Sequence, residues 1–184
     1  KQLMENAGEA LAEFIDGYSR REENSAPENR YVVFLAGTGN NGGDCFASAN
    51  ILVYRGYRIT VINVGGMPKT DLAKEMFGRL PKERITVIDG FRSENVEAAM
   101  DTSELDYMTL PKIRIPSGKS KKDLNPLETM LLQEKHRMSL IKNSITDAAV
   151  VVDGVFGTGF HGTLSEDVAA LFRIRTDAFK IAVD

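Results

Sequence analysis

Two glycine-rich loops and three aspartates hold the chemistry open to this sequence. The first loop reads Gly37-Thr-Gly39-Asn-Asn-Gly42 and continues into Gly43-Asp44. It has the G-x-G-x-x-G spacing, with an apolar run before it and a helical stretch from Gly42 to about Arg55 after it. Glycines there let a backbone approach a phosphate closely, and the helix N-terminus adds N–H donors and positive partial charge. A second loop, Gly157-Thr-Gly159-Phe-His-Gly162, follows another apolar run. One such loop could be a tight turn without a ligand. Two of them, after strands that neighbour each other in a sheet of order 3-2-1-4-5, would line one crevice. A phosphate-bearing ligand is expected.

The aspartates stand where such a crevice needs them. Asp44 closes the first loop, Asp153 ends the fourth strand and Asp184 ends the fifth. Carboxylates at strand ends can hold a cation, orient a hydroxyl or move a proton. Asn40 and Asn41 add side-chain oxygens and amide donors, and with Asp153 they could form an oxygen-rich site for a hard cation. No Gly-Lys-Ser/Thr phosphate loop is present. A dinucleotide site read in the usual way wants an acid at the end of the second strand, where this chain has Ile62-Asn63-Val64. A conventional dehydrogenase therefore fits poorly. Cys45 follows the loop and is read mainly as a small packed residue, His161 could touch a ligand or face solvent, and His136 is read as a helix-surface residue.

The elements that must hold these residues follow from periodicity. Helical spacing of apolar residues predicts a helix over 3–16, and 19–30 reads as a linker. Strands are predicted at Tyr31–Ala36, Arg58–Val64, Ile85–Asp89, Ala148–Val152 and Phe179–Asp184. Helices are predicted from Asp71 to Leu80, from Pro126 to about Asn143, and to about Ile174 behind a capping box at Thr163-Leu-Ser-Glu166. Residues 90–125 read as an irregular insertion. Alternating strands and helices predict one α/β domain, a Rossmann-like three-layer sandwich with a mostly parallel sheet and helices on both faces.

Composition narrows the function classes. The chain has 184 residues, 42% of them hydrophobic and 27% charged, with a net charge of −3. That suits one globular domain and argues against disorder and against wholesale charge-driven nucleic-acid binding. No apolar run approaches the ~18–20 residues that span a bilayer. A lone cysteine fits a reducing compartment. The basic segment Lys112, Arg114, Lys119, Lys121 and Lys122 reads as a solvated loop, since it lacks interleaved aromatics.

Four segments together are similar to the YjeF N-terminal family: Leu3-Met-Glu-Asn-Ala-Gly8, Gly37 to Asp44, Val151-Val-Asp-Gly-Val-Phe-Gly-Thr-Gly159 and Ala182-Val-Asp184. The resemblance implies a Rossmann-like fold and epimerisation of hydrated NADH or NADPH, a damaged cofactor with a hydroxyl on its nicotinamide-derived ring. It implies that Asn40, Asn41, Gly42, Gly43 and Asp44, with Gly157, Thr158, Gly159, Phe160, His161, Gly162 and Thr163, contact the hydrate. Asn41 and Asp153 would help hold a potassium ion, and Asp184 would face the reacting ring, with Asp184 and Asp44 as the catalytic pair. A further potassium ligand in the family is the serine of an IPSG element beyond this aspartate. Ile115-Pro-Ser-Gly118 matches that element by chance, being out of place. The domain is therefore expected to be incomplete at its C-terminus.

The chain departs from the family pattern at three positions. Thr38 replaces the usual proline, Cys45 the usual glycine and Gly154 the usual alanine. The partners implied are the small-molecule hydrate, with a homodimer and a fused or separate ADP- or ATP-dependent dehydratase allowed. The expected setting is cytoplasmic, with organelle targeting left open at the N-terminus. The alternative is a non-catalytic binding module of the same family, an RNA-turnover scaffold or protein-interaction domain.

Overall fold

Tyr31–Ala36 is apolar at every position, and its side chains alternate between two cores. Val32, Phe34 and Ala36 enter one cluster, while Tyr31, Val33 and Leu35 enter the other. A strand buried on both faces belongs in the middle of a parallel sheet, and this one does. In the computed structural model, which describes residues 2–21, 30–90, 126–157, 160–161 and 163–184 (without the side chains of 126–128), it is the central strand.

The elements run α1 (Gln2–Ser19), β1 (Tyr31–Ala36), α2 (Asn40–Tyr54), β2 (Arg58–Asn63), α3 (Asp71–Gly78) and β3 (Ile85–Asp89). They continue through α4 (Pro126–Asp147), β4 (Val150–Gly154), α5 (Glu166–Phe172) and β5 (Phe179–Ala182). The five strands are ordered β3-β2-β1-β4-β5, and every pair is parallel. Expected and observed strand order agree. The insertion expected at 90–125, with its basic segment from Lys112 to Lys122, lies outside the described residues apart from Gly90.

Each sheet face is covered by its own helices. Met4 and Ile15 of α1, Phe46 and Leu52 of α2 and Met76 of α3 pack on one side. Met138, Ile141 and Ile145 of α4 and Leu171 of α5 pack on the other. At the β5 edge the sheet is more open, and Phe179 stacks against Tyr18 of α1 with centroids 4.2 Å apart.

Several boundaries move from those expected, each for a local reason. α2 begins at Asn40, so both asparagines belong to its first turn, with Gly39 as a cap that lends no side chain. β4 lies at Val150–Gly154, because Ala149 still bonds to the Tyr31 carbonyl before the ladder with β1 is set. The capping box at Thr163 does not form. Ser165 is the N-cap of α5 and makes no side-chain cap bond, which puts Glu166 in the first helical position instead of the third. From there Glu166 and Asp167 put negative charge in the first turn, where it suits the helix dipole, and Glu166 also pairs with Arg173 at 3.4 Å.

Candidate functional site

The first loop is a backbone joint before it is anything else. A Cβ on Gly42 would overlap the Gly37 carbonyl, and one on Gly37 would overlap the Val155 carbonyl. The Gly37 N–H donates to the Gly154 carbonyl at 3.0 Å. Only glycine allows three backbone segments to stack this closely, so the N-terminus of α2 is fixed against the end of β4.

Asn41 completes the joint with its side chain. Its Nδ2 donates to the carbonyls of Phe156 at 2.9 Å and Val183 at 2.8 Å. One amide thus ties α2 to the segments leaving β4 and β5. Both of its N–H hydrogens are spent, and its Oδ1 accepts no hydrogen bond among the described residues.

A cavity of about 370 Å³ opens above this joint, walled by Gly39, Asn40 and Asn41 from the first loop, Val155, Gly157 and Phe160 from the second side, and Asp184. The Phe160 ring rests on Phe156, centroids 4.0 Å apart, and keeps 40% of its surface exposed. His161 and Thr163 are exposed beyond it. Thr158, Gly159 and Gly162 lie outside the described residues. The structure thus brings Asn40, Asn41, Gly157, Phe160 and Asp184 to one cavity, whereas Gly42 and Gly43 are buried in packing.

The other two aspartates stand apart from that wall. Asp153 accepts the Val155 N–H at 3.0 Å through Oδ1, and its backbone carbonyl accepts from Val183 at 2.8 Å. Its side chain lines a separate cavity of about 240 Å³ between β4, β5 and α5, with Val151, Leu171 and Lys180. Asp44 is partly buried with no hydrogen-bond or ion-pair partner among the described residues, and burial pushes its carboxyl up to about 6. Cys45 is wholly buried, and burial together with the Asp44 and Asp153 carboxylates pushes its thiol up. A thiol so placed is packing, not a nucleophile. His136 is exposed on α4.

The family model described as "YjeF-related protein N-terminus" matches residues 1–184. This chain belongs to that family. An NAD(P)H-hydrate epimerase of Cenarchaeum symbiosum is 31% identical over 166 residues, covering 90% of this chain and 53% of that protein. A bifunctional NAD(P)H-hydrate repair enzyme of Methanothermobacter thermautotrophicus is 28% identical over 184 residues, covering 99% of this chain and 26% of its own length. The chain therefore spans about half of one curated relative and a quarter of the other. A crystal structure of the yeast protein ynu0 covers 100% of this chain and 59% of its own, at TM-score 0.59 and 21% identity, a likeness of fold.

As a YjeF-N domain the chain also differs physically from a dinucleotide dehydrogenase. Asn63, at the end of β2, is 1% exposed and donates through Nδ2 to the Asp89 carboxylate at 3.2 Å. It is turned into the fold and is no ribose ligand. Sequence reasoning missed the carbonyls of Phe156 and Val183 that hold Asn41. No residue-type signal could reveal them, because every residue carries a carbonyl. Among the described residues, no helix is long and apolar enough to cross a membrane, and no three His, Cys, Asp or Glu gather to hold a metal.

Proposed function

We propose that this domain is an NAD(P)H-hydrate epimerase, interconverting the R and S hydrates of NADH and NADPH in nicotinamide nucleotide repair. The convergence of both glycine-rich loops on one cavity with Asp184 is the observation that supports it most. The first loop supplies the N-terminus of α2 to the dinucleotide phosphates. Phe160 offers an aromatic face at the rim, and Asn40 an exposed amide.

In the reaction, the lone pair of the ring nitrogen expels the hydroxyl of the hydrate as hydroxide, leaving an iminium. Water then adds to the opposite face and gives up a proton. The Asp184 carboxylate stabilises the cation and carries that proton, so the hydroxide released and the water consumed balance. Asp44, whose carboxyl burial pushes up to about 6, is a group able to exchange protons near neutral pH.

By donor type Asn41 and Asp153 suit a potassium ion, which would have to draw together an amide at one cavity and a carboxylate at the other. Among the described residues the Asn41 Oδ1 accepts no hydrogen bond, and Asp153 has one carboxylate oxygen engaged by a backbone N–H and the other without a hydrogen bond. Both are hard oxygen donors. When bound, the ion supplies fixed positive charge beside the ligand. The bifunctional relatives support a dehydratase as functional partner, consuming one epimer of the same hydrate. A cytoplasmic setting and a homodimer complete the reading.

The test is epimerisation of mixed NADH and NADPH hydrates, followed by chromatography, in KCl and in NaCl. Asp184→Asn is expected to lose at least about a hundredfold in rate, the ordinary scale of a general acid–base group. An unchanged rate in that variant, or no turnover by the parent in either salt, rejects the proposal.

A further inference from the structure

The first loop is held from both sides, and the side away from Asp184 carries a cation. On one side the Gly37 N–H meets the Gly154 carbonyl, and the cavity with Asp184 opens there. On the other side, the chain leaving β2 folds back along the loop. The Val64 N–H donates to the Ala36 carbonyl at 2.8 Å, and further on the Lys69 N–H donates to the Thr38 carbonyl at 2.8 Å. Gly65 and Gly66 make the reversal between them, at φ values of 81° and 100° that suit glycine. Lys69 is thereby fixed one backbone bond from the middle of Gly37-Thr38-Gly39.

The side chain at that position is uncommitted. Lys69 is exposed and makes no side-chain hydrogen bond or ion pair among the described residues. The next cations along the chain are taken: Lys74 pairs with Asp71 at 3.4 Å, and Arg79 lies between Glu5 and Glu75. In a doubly wound fold the adenosine ribose lies at the end of the second strand, where a carboxylate takes a free 2′-hydroxyl and a nearby cation accommodates a 2′-phosphate. Here β2 ends in the buried Asn63, so no carboxylate stands there to repel a phosphate. The rival acid is Asp89, exposed at the end of β3, one strand farther out. From β5 to β2 is three strand spacings, roughly 14 Å, which an extended dinucleotide spans with its pyrophosphate over the N-terminus of α2.

We propose that Lys69 is a specificity-determining residue that reads the 2′-phosphate of the dinucleotide, so that the domain takes the hydrate of NADPH in preference to that of NADH. The choice between hydrates rests on the function proposed above; recognition of an adenosine 2′-phosphate rests on the loop and its lysine. The ammonium brings a compact charge and three donors on a flexible stem. The bond to Thr38 keeps the root of that stem beside the pyrophosphate loop, while the head is left to meet the phosphate.

The experiment uses the whole chain as parent, Lys69→Gln, Lys69→Arg and Asp89→Asn. Calorimetric titration with adenosine 2′,5′-bisphosphate and with adenosine 5′-phosphate is run beside epimerisation of the separate NADPH and NADH hydrates. The parent is expected to bind the bisphosphate about tenfold or more tightly than the monophosphate, the scale of one charge-assisted contact, and to show a like ratio in KM. Lys69→Gln is expected to abolish both ratios, and Lys69→Arg to keep them. A parent without preference overturns the proposal, as does a preference that survives Lys69→Gln. Equal weakening of both nucleotides in Lys69→Gln overturns it too, since a cation that merely sits near the loop does that. So does a preference for the NADH hydrate that Asp89→Asn removes, which would place a free ribose hydroxyl on that acid. Absence of turnover with the nucleotide ratio intact rejects the epimerase reading and leaves the Lys69 assignment standing.

Discussion

The two glycine-rich loops share one spacing and differ in what the spacing is for. In the first, Gly37, Gly42 and Gly43 are buried, and side chains at Gly37 and Gly42 would run into neighbouring backbone. In the second, Gly157 and Phe160 are exposed at the cavity rim, and His161 is exposed beyond it. The first loop is a joint between α2 and the ends of β1 and β4; the described part of the second is an exposed wall of the cavity. A G-x-G-x-x-G fingerprint thus reports close backbone approach, and what does the approaching, another strand or a phosphate, is decided by the rest of the fold.

The largest effect that can break this comparison comes from adding one methyl to each loop. Gly42→Ala sets a Cβ against the rigid Gly37 carbonyl and is expected to cost roughly 3 kcal/mol or more of stability. Gly157→Ala sets its Cβ 3.1 Å from the Asn41 Nδ2, a tight approach rather than an overlap, and is expected to cost less, about 1 kcal/mol. Urea denaturation of the two variants measures the gap. Equal losses would mean the second loop is as much a joint as the first.

Next in size is the side chain that links the two. Asn41→Ala leaves the Phe156 and Val183 carbonyls without the amide they share, at an expected cost of about 2 kcal/mol in the same denaturation experiment. Asn40 stands beside it, exposed, and its side chain makes no hydrogen bond among the described residues. Asn40→Ala is accordingly expected to stay within about 0.5 kcal/mol of the parent. Neighbours of identical type should separate cleanly into anchor and ligand contact.

How far the sequence discloses all this depends on which interactions are periodic. The central place of Tyr31–Ala36 follows from its unbroken apolar run and the strand order from the doubly wound fold class, and in the structure the run's side chains divide between the two cores. The candidate aspartates were legible as residues but not as orientations. Asp153 precedes the end of its strand by one position, and strand alternation turns it to the cavity of Val151 and Lys180, away from the cavity of Asp184. The capping box at Thr163 failed because it depended on a helix start that shifted by two residues. The contact of Cys45 with Gly154 is not legible either, since 109 positions separate them and only the packing of α2 on β4 brings them together.

Asp44 supplies the smallest expected effect and the sharpest contrast within the first loop, because it is the one member whose presence costs stability. Burial lifts its pKa from 3.8 to about 6, so the folded chain holds this proton more tightly than the unfolded chain. Between those two values the folded state binds more protons, and stability falls as pH rises through the window; above it the full penalty of a desolvated, unpartnered carboxylate remains. Asp44→Asn removes the charge. It is expected to raise stability by on the order of 1 kcal/mol near pH 7, discounted for the group's partial exposure, with the gain fading to nothing near pH 4. The check is denaturation of parent and variant across that range. If the same variant also loses epimerisation, a stabilising change will have removed a working group, which is the pattern of a residue kept for chemistry at the expense of the fold. A pH-independent difference between the two proteins would instead assign Asp44 to the joint, with Gly37 and Gly42.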